Sequence, residues 1–163
     1  MSRTLVAGVG NIFNSDDGFG PEVARRLASE PLPDDVTVTD FGIRGIHLAY
    51  ELLEGWDRLI LIDALPRGEA PGTVYVVEPD DVPAGGPADA HSMHPLAVFG
   101  HLAAIGGTRP PTLIVGCEPA NLDDGMGLTE PVERAAAEAV GVVLRLVGEP
   151  FAAATSSLPA TAG

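Results

Sequence analysis

The stretch that most constrains the fold of this chain comprises residues 5–27. It begins as a run of small apolar residues typical of a buried strand, passes through a glycine turn, and reaches the adjacent carboxylates Asp16 and Asp17. Pro21 follows at a position that suits the first turn of a helix, where its missing N–H costs nothing. Strand, glycine turn, polar loop and helix form the first unit of an α/β sheet, and the loops at the carboxyl ends of such strands are where ligands bind.

The glycine turn does not have the pattern of a nucleotide site. Gly8 and Gly10 give the first half of G-x-G-x-x-G, but Phe13 stands where the third glycine belongs, and no Gly-Lys-Ser/Thr sequence follows. Asp16 and Asp17 lie where a phosphate site would present positive charge or bare N–H groups, and two carboxylates there favour a cation. We expect one of the two to cap the following helix, which leaves the other free to point into the cleft.

Composition indicates one well-packed unit. The 163 residues suffice for one domain with a real core, and a hydrophobic content of 45% excludes a disordered chain. The sequence has no apolar run of membrane-spanning length, no signal-peptide pattern and only one cysteine, so we expect a soluble cytoplasmic protein without a membrane partner, a disulfide or a cysteine-based zinc cluster. A net charge of −14 argues against nucleic acid as a partner and favours metal ions or basic peptides, although solubility alone would also account for it.

The order of predicted elements gives an α/β fold. We expect a single domain over residues 1–149 and a disordered tail, rich in Ala, Thr, Ser and Pro, over residues 150–163. The link between the third and fourth strands is too short for a crossover helix, which predicts an antiparallel edge strand on a mostly parallel sheet. Strands are predicted at residues 4–10, 36–41, 58–64, 72–78 and 111–119, and helices at about 20–30, 46–53, 91–105 and 130–147.

Acidic residues and histidines are placed to meet at one edge of this sheet. The continuous aliphatic run 58–64 is the clearest buried parallel strand, and it reaches Asp63 near its end. Asp63 and Asp17 are therefore expected at the same carboxyl edge, with the alternative that Asp63 only caps the following turn. His91 and His94 stand near the start of a helix, from which they could reach the cleft.

Three further features have structural interpretations. The period of the second helix places Ile46, Tyr50 and Leu53 on one face. Cys117 is predicted to be a small buried apolar residue, with a reactive thiol as the alternative. Thr129 is predicted to be the N-cap of the last helix, because a proline follows at a first-turn position.

Four ordered motifs resemble those of the hydrogenase maturation endopeptidases, the proteases that trim the C-terminus of the large subunit of NiFe hydrogenases. The resemblance covers residues 4–147. It implies a three-layer sandwich in which a twisted five-stranded sheet lies between helices on both faces. The motifs are Gly8-Val9-Gly10-Asn11 with Asp16-Asp17-Gly18-Phe19-Gly20, then Asp40-Phe41-Gly42, Leu61-Ile62-Asp63-Ala64 and His91-Ser92-Met93.

The resemblance also implies a metal-contacting site. It assigns the three contacting side chains to Asp17, Asp63 and His91. Asp16 and Asp40 match positions that support the site or contact the substrate. His91 is preferred because the register of the following helix then matches that of the family, and His94 stays open as a substitute or as a fourth ligand.

The implied chemistry is hydrolysis of a peptide bond near the C-terminus of a large-subunit precursor. Two carboxylates and one imidazole suit Ni²⁺ or Zn²⁺. The resemblance implies that nickel arrives with the precursor and that no organic cofactor is needed. A metal held in this way could polarise the scissile carbonyl or lower the pKa of a bound water, and the residues do not choose between these roles or identify a general base.

The alternative function is a non-catalytic nickel-binding maturation chaperone on the same scaffold. The same residues would then bind nickel, and no peptide bond would be cleaved. Incubation with a nickel-loaded precursor separates the two, because only the protease yields a shortened product. We expect the protein to be a monomer.

Overall fold

The computed structural model describes residues 2–82 and 96–151 of the protein. His91, His94 and the predicted start of the third helix lie outside these ranges, as do residues 152–163 of the predicted tail. The strands are β1 (Thr4–Val9), β2 (Val36–Gly42), β3 (Arg58–Ala64), β4 (Val74–Val77) and β5 (Thr112–Cys117). The helices are α1 (Phe19–Leu27), α2 (Gly45–Leu52), α3 (Ala97–Ala104) and α4 (Glu130–Val147), with short 3₁₀ turns at Ser15–Gly18 and Pro79–Asp81.

The five strands form one sheet in the order β2-β1-β3-β5-β4. β1, β2, β3 and β5 are parallel, and β4 pairs antiparallel with β5 at an edge, as the short link between β3 and β4 predicts. Gly8 pairs with Asp40 on one side and with Ile62 on the other, so the strands end together. The loops that follow β1, β2, β3 and β5 therefore open at one edge of the sheet, which we call the carboxyl edge.

Helices cover both faces of the sheet, which confirms the predicted three-layer α/β sandwich. On one face, side chains of α1 and α4 such as Val23 and Val143 pack with Val6 and Ile60 of the strands. On the other face, α2 and α3 pack against the alternate strand residues, with Leu48 in that cluster. β3 is buried from Leu59 to Ala64 because it receives side chains from both layers, which explains its unbroken aliphatic run.

Two glycines allow α1 to lie directly on the sheet. A Cβ built on Gly8 would lie 2.8 Å from the Cβ of Ala24 in α1, and one built on Gly20 would lie 2.8 Å from the backbone nitrogen of Val9. Real Cβ atoms do not approach so closely, so any side chain at either position would push the helix away from the strands. The glycines of the first motif thus fix the distance between β1 and the first turn of α1, and with it the position of the loop between them.

The face of α2 that carries Ile46, Tyr50 and Leu53 is exposed. These side chains have relative exposures of 53%, 55% and 44%, while Leu48 and Leu52 of the same helix are buried. The three do lie on one face, as the period predicts, and the opposite arc of the helix packs on the sheet. No helix in the described ranges is long and apolar enough to span a bilayer.

Candidate functional site

Two carboxylates predicted to meet at the carboxyl edge are brought together there. Asp17 lies in the 3₁₀ turn that follows β1, and Asp63 lies near the end of β3, within the strand and not in the turn after it. The Asp17 turn packs against β3, and the charge of Asp17 acts on Asp63. The predicted convergence of these two residues is confirmed by this arrangement, whereas their binding of a metal stays a prediction.

Asp63 is a buried acid with an unsatisfied oxygen. Its side chain is 2% exposed, and Oδ2 is buried without a hydrogen-bond partner among the described residues. Burial raises the pKa of this carboxyl well above its usual range, the neighbouring charge of Asp17 raises it further, and the Ala64 amide lowers it in part. A buried carboxylate oxygen without a partner is costly, so this atom is suited to a proton or to a cation.

Asp17 is the more accessible member of the pair. It is half-buried, and its Oδ2 accepts a hydrogen bond of 2.8 Å from the backbone amide of Asn11. Burial raises the pKa of the Asp17 carboxyl, and the Asn11 hydrogen bond partly offsets this effect. Two adjacent carboxyl groups, both poorly solvated, repel each other when ionised, and a divalent cation between them would remove that repulsion.

The described residues supply two oxygen donors of the predicted three-ligand site. Among these residues, no group of three or more His, Cys, Asp or Glu side chains could hold a metal ion. The predicted third ligand, His91, lies outside the described ranges, as does His94. The described residues therefore supply Asp17 and Asp63 of the three predicted ligands, and the imidazole stays a prediction.

Asp16 has a structural role that differs from the predicted helix cap. It is fully buried, and its carboxylate accepts hydrogen bonds from the backbone amides of Ala120, Asn121 and Thr129 at 2.7–3.0 Å. The residue before α1 is Gly18, which makes no side-chain cap, so neither Asp16 nor Asp17 caps this helix through its side chain. The prediction of a cap is wrong because the 3₁₀ turn rotates Asp16 towards the loop that follows β5.

Thr129 forms hydrogen bonds to Asp16 through both its backbone amide and its hydroxyl. It occupies the N-cap position of α4, as predicted, and Pro131 lies in the first turn. Its hydroxyl, however, donates to the carboxylate of Asp16, with distances of 2.8 and 3.0 Å to the two oxygens, and makes no cap bond to the helix. The start of α4 is thereby tied to the residue next to Asp17.

Further hydrogen bonds join the β1–α1 loop (residues 10–18) to the β5–α4 loop (residues 118–129). The amide of Ser15 donates to the carbonyl of Gly125 at 2.8 Å, and the amide of Gly125 donates to the carbonyl of Phe13 at 2.8 Å. The hydroxyl of Ser15 donates to the carbonyl of Asp123 at 2.8 Å, and Ser15 has a positive φ of 52°. A non-glycine residue in this region is uncommon, and here the two loops hold it in place.

Asp40 lies at the same edge, on β2. It is exposed, and its Oδ1 accepts a hydrogen bond of 2.8 Å from the amide of Gly42, which has a φ of 54°. Asp40 faces an open groove of about 320 Å³. The groove is lined by apolar side chains of both loops and of α1, and by charged residues of β2 and α1, among them Ile12, Pro21, Met126, Leu128, Asp40 and Arg25. The predicted supporting or substrate-contacting role of Asp40 stays a prediction, and its place beside the groove is consistent with it.

Glu118 is a buried acid that the sequence analysis did not single out. It follows β5 and is 6% exposed, and its Oε1 accepts hydrogen bonds from the Tyr75 hydroxyl and from the amides of Arg67 and Glu69. These contacts hold the loop between β3 and β4. The signal that could have found it is the one that found Asp63, an acid at the end of a buried parallel strand.

Cys117 is a buried structural residue, as predicted. It is fully buried in the core on the α1 and α4 side of the sheet. Burial raises the pKa of its thiol to about 12, and the charges of Asp16 and Glu118 contribute. A thiol that stays protonated is a poor nucleophile and a poor metal ligand.

Comparison with known proteins gives a consistent result. The family model of the hydrogenase maturation proteases matches residues 21–146. The chain is 35% identical over 156 residues to the hydrogenase expression/formation protein HupD of Bradyrhizobium diazoefficiens, a match that covers 91% of this chain and 79% of that protein. It is 32% identical over 155 residues to the coenzyme F420 hydrogenase subunit delta of Methanothermobacter thermautotrophicus, covering 90% of this chain and 96% of that one.

A solved structure shares the fold. The hydrogenase maturating endopeptidase HybD from E. coli superimposes with a TM-score of 0.75 at 30% identity, over 90% of this chain and 92% of that one. The two folds therefore agree over about nine-tenths of each chain.

Proposed function

Because this chain belongs to the hydrogenase maturation protease family, we propose that it is an endopeptidase that removes a C-terminal peptide from the nickel-loaded precursor of a NiFe hydrogenase large subunit. Nickel is carried by the precursor and is part of the substrate. In this proposal Asp17, Asp63 and His91 contact that nickel, and no organic cofactor takes part. The reaction is expected to take place in the cytoplasm, with the protease as a monomer.

The observation that carries the proposal is the unsatisfied Oδ2 of Asp63 beside Asp17. A solvated acid on a surface loop would gain little from a metal, whereas this oxygen is buried without a partner and its carboxyl has a raised pKa. The alternative states of the pair are a proton held at Asp63 or a cation shared with Asp17. The site thus favours a metal-bearing partner and disfavours an ionised, metal-free state.

The surrounding residues supply orientation. The Asn11 amide donates to Oδ2 of Asp17 and leaves Oδ1 available to a ligand. Asp16 fixes the two loops on either side of Asp17 and does not itself reach the cleft, because its carboxylate is buried and bound by the β5–α4 loop. A nickel ion bound here would act as a Lewis acid on the scissile carbonyl or on a water molecule.

The test replaces each of the three residues by a near-isosteric neutral or shorter side chain. Asp17→Asn, Asp63→Asn and His91→Ala are expected to lower the rate of precursor cleavage at least 100-fold, since each removes a proposed contact to the metal. The matched controls are Asp34→Asn and His47→Ala, which change exposed residues outside the proposed site. They are expected to leave the rate within twofold, and circular dichroism establishes that every variant is folded.

Two outcomes would count against the proposal. Full activity in all three site variants would remove the metal-contact role. Nickel binding that depends on the three residues, without cleavage of a cognate nickel-loaded precursor, would favour the non-catalytic chaperone.

A further inference from the structure

The groove of about 320 Å³ lies directly beside the candidate site but includes none of its proposed metal contacts. Ser15 and Gly18, the first and last residues of the 3₁₀ turn that contains Asp17, line the groove together with Asp40 of β2. Its volume is at the lower end of the range of roughly 300–1,000 Å³ that ligand pockets occupy. The groove therefore has room for a side chain and the adjacent backbone of a peptide whose neighbouring bond lies near Asp17.

Most of the large apolar side chains that are exposed in the described residues lie at the carboxyl edge, and two of them, Ile12 and Met126, line the groove. Eight large hydrophobic residues are exposed in the described ranges, and six of them follow the carboxyl ends of β1, β2 or β5. Isolated exposed apolar residues are ordinary, but a group of them beside a concave surface marks a binding site. The six are Ile12 (44%), Phe13 (61%), Ile43 (65%), Ile46 (53%), Leu122 (41%) and Met126 (71%).

Both walls of the groove are fixed before any ligand arrives. Ile12 belongs to the β1–α1 loop and packs against Gly18, where a built Cβ would lie 3.2 Å from the Ile12 Cα. Met126 and Leu128 belong to the β5–α4 loop, which is hydrogen-bonded to Asp16. A preformed groove spares the ligand the cost of ordering the loops, which favours affinity for an extended segment.

The charges of the rim restrict what the groove accepts. Glu22 is paired with Arg25 and Arg26, so this cluster does not present an isolated anion. Asp40 has no ion pair among the described residues, and Asp123 and Asp124 are exposed close to Met126 in the chain. In a protein of net charge −14 this rim repels acidic segments and is complementary to neutral or basic ones.

We propose that the groove formed by Ile12, Pro21, Met126 and Leu128 is a specificity subsite, which binds an apolar side chain of a neutral or basic substrate segment next to the cleaved bond. This inference rests on the proposed function and adds to it a substrate feature other than the metal. Recognition then has two independent parts, the metal at Asp17 and Asp63 and an apolar side chain in the groove.

The experiment places a charge in the groove and the same charge on a matched exposed surface. Ile12→Asp and Met126→Asp alter the groove, and Leu53→Asp is the control. Leu53 has the same 44% exposure as Ile12, and it follows the C-terminal end of α2, whereas the carboxyl end of β2 precedes the N-terminal end of that helix. Cleavage of a cognate nickel-loaded precursor is measured as kcat/KM. Affinity for the same precursor is measured by interferometry with each substitution in an Asp63→Asn background, where no turnover is expected.

Both groove variants are expected to lower kcat/KM and affinity by about 10-fold or more, the range seen when an apolar group is lost from a pocket. Leu53→Asp is expected to stay within twofold of its parent. In the precursor, replacing the apolar residue nearest the cleaved bond by Ser is expected to lower cleavage by the wild type about 10-fold, but to cost the Ile12→Asp variant little more. Such non-additivity would place that residue in the groove.

The remaining outcomes are decisive as well. Groove variants that behave like Leu53→Asp, while the wild type cleaves, would overturn the subsite and leave the proposed function intact. A wild type that never cleaves but whose affinity falls in the groove variants would overturn the peptidase and keep the subsite. Absence of both cleavage and binding would overturn both proposals.

Discussion

The carboxylate of Asp16 accepts hydrogen bonds from both the backbone amide and the hydroxyl of Thr129, 113 residues further along the chain. This contact joins the first loop of the carboxyl edge to the residue that precedes α4. Asp17 is the next residue, so its position depends on a network in which it takes no part. We infer that the two adjacent acids have different roles: Asp16 holds the two loops together, and Asp17 faces the cleft.

Replacing Asp16 by Ala is expected to destabilise the fold. The change leaves three backbone amides and the Thr129 hydroxyl without their acceptor, and unsatisfied buried donors of this kind are expected to cost at least about 3 kcal/mol in total. Thr129→Val, which removes only the hydroxyl, should cost about 1–2 kcal/mol. Urea unfolding measures both, with Asp124→Ala in the same loop as a control that should stay within about 0.5 kcal/mol. A stability of Asp16→Ala equal to that of the control would refute the structural role of Asp16.

Gly20→Ala is expected to destabilise the protein by about 2–3 kcal/mol, because the added Cβ meets backbone atoms of β1 and β3 and must displace the start of α1. The matched change is Gly141→Ala in the exposed middle of α4, where a Cβ meets nothing within 4 Å. That change should stabilise the protein by about 0.5–1 kcal/mol through helix propensity. Thermal unfolding separates the two. Equal effects at both sites would mean that α1 does not rest on the sheet as closely as described.

In metal-free protein, Asp63→Asn is expected to increase stability at neutral pH. The pKa of Asp63 is raised in the folded state above its ordinary value of 3.8, so the folded state retains the proton after the unfolded chain has lost it. Native stability therefore falls as pH rises from about 4 through the raised pKa, and Asn avoids this loss.

Stability curves from pH 4 to 8, recorded with a chelator, test this prediction. The free energy of unfolding of the Asn variant should exceed that of the wild type most at pH 8, and the difference should shrink towards zero near pH 4. Asp124→Asn should show no comparable trend. An Asn variant less stable than the wild type at pH 8 would mean that the ionised carboxylate is stabilised in the fold, contrary to its buried and unsatisfied oxygen.

Cys117 is expected to resist thiol reagents in the native protein. Burial, with the charges of Asp16 and Glu118, keeps its pKa near 12, so very little thiolate forms at pH 8 and the reagent cannot reach it. Labelling at pH 8 in increasing urea should follow the global unfolding transition measured by circular dichroism. Rapid labelling without urea would show instead that the core around β5 opens locally.

The elements of the fold could be predicted because each has a local signal. The aliphatic run of β3 predicts a strand covered on both faces, and the bounds predicted for the last helix agree with Glu130–Val147. The antiparallel edge follows from the short link before β4. These features depend on residues close together in the chain, and the pattern of hydrophobic residues is sufficient for them.

The parts that could not be predicted depend on contacts distant in sequence. Asp16 and Asp17 are the same residue type and adjacent in the sequence, so the sequence does not distinguish their roles. The 3₁₀ turn, with the positive φ of Ser15, directs Asp16 to the β5–α4 loop and Asp17 to Asn11. The period of α2 likewise identifies a face with Ile46 and Tyr50 but does not show that the opposite arc is the buried one. Both choices are made by tertiary packing, which a local pattern does not contain.

The most direct test of the account is the mass of a cognate NiFe hydrogenase large subunit after incubation with the protein, with nickel inserted in the precursor and without it. We predict loss of a C-terminal peptide in the nickel-loaded sample and an unchanged mass in the nickel-free sample. An unchanged mass in both samples would contradict the proposed endopeptidase. Equal cleavage in both samples would contradict the proposed recognition of nickel by Asp17 and Asp63.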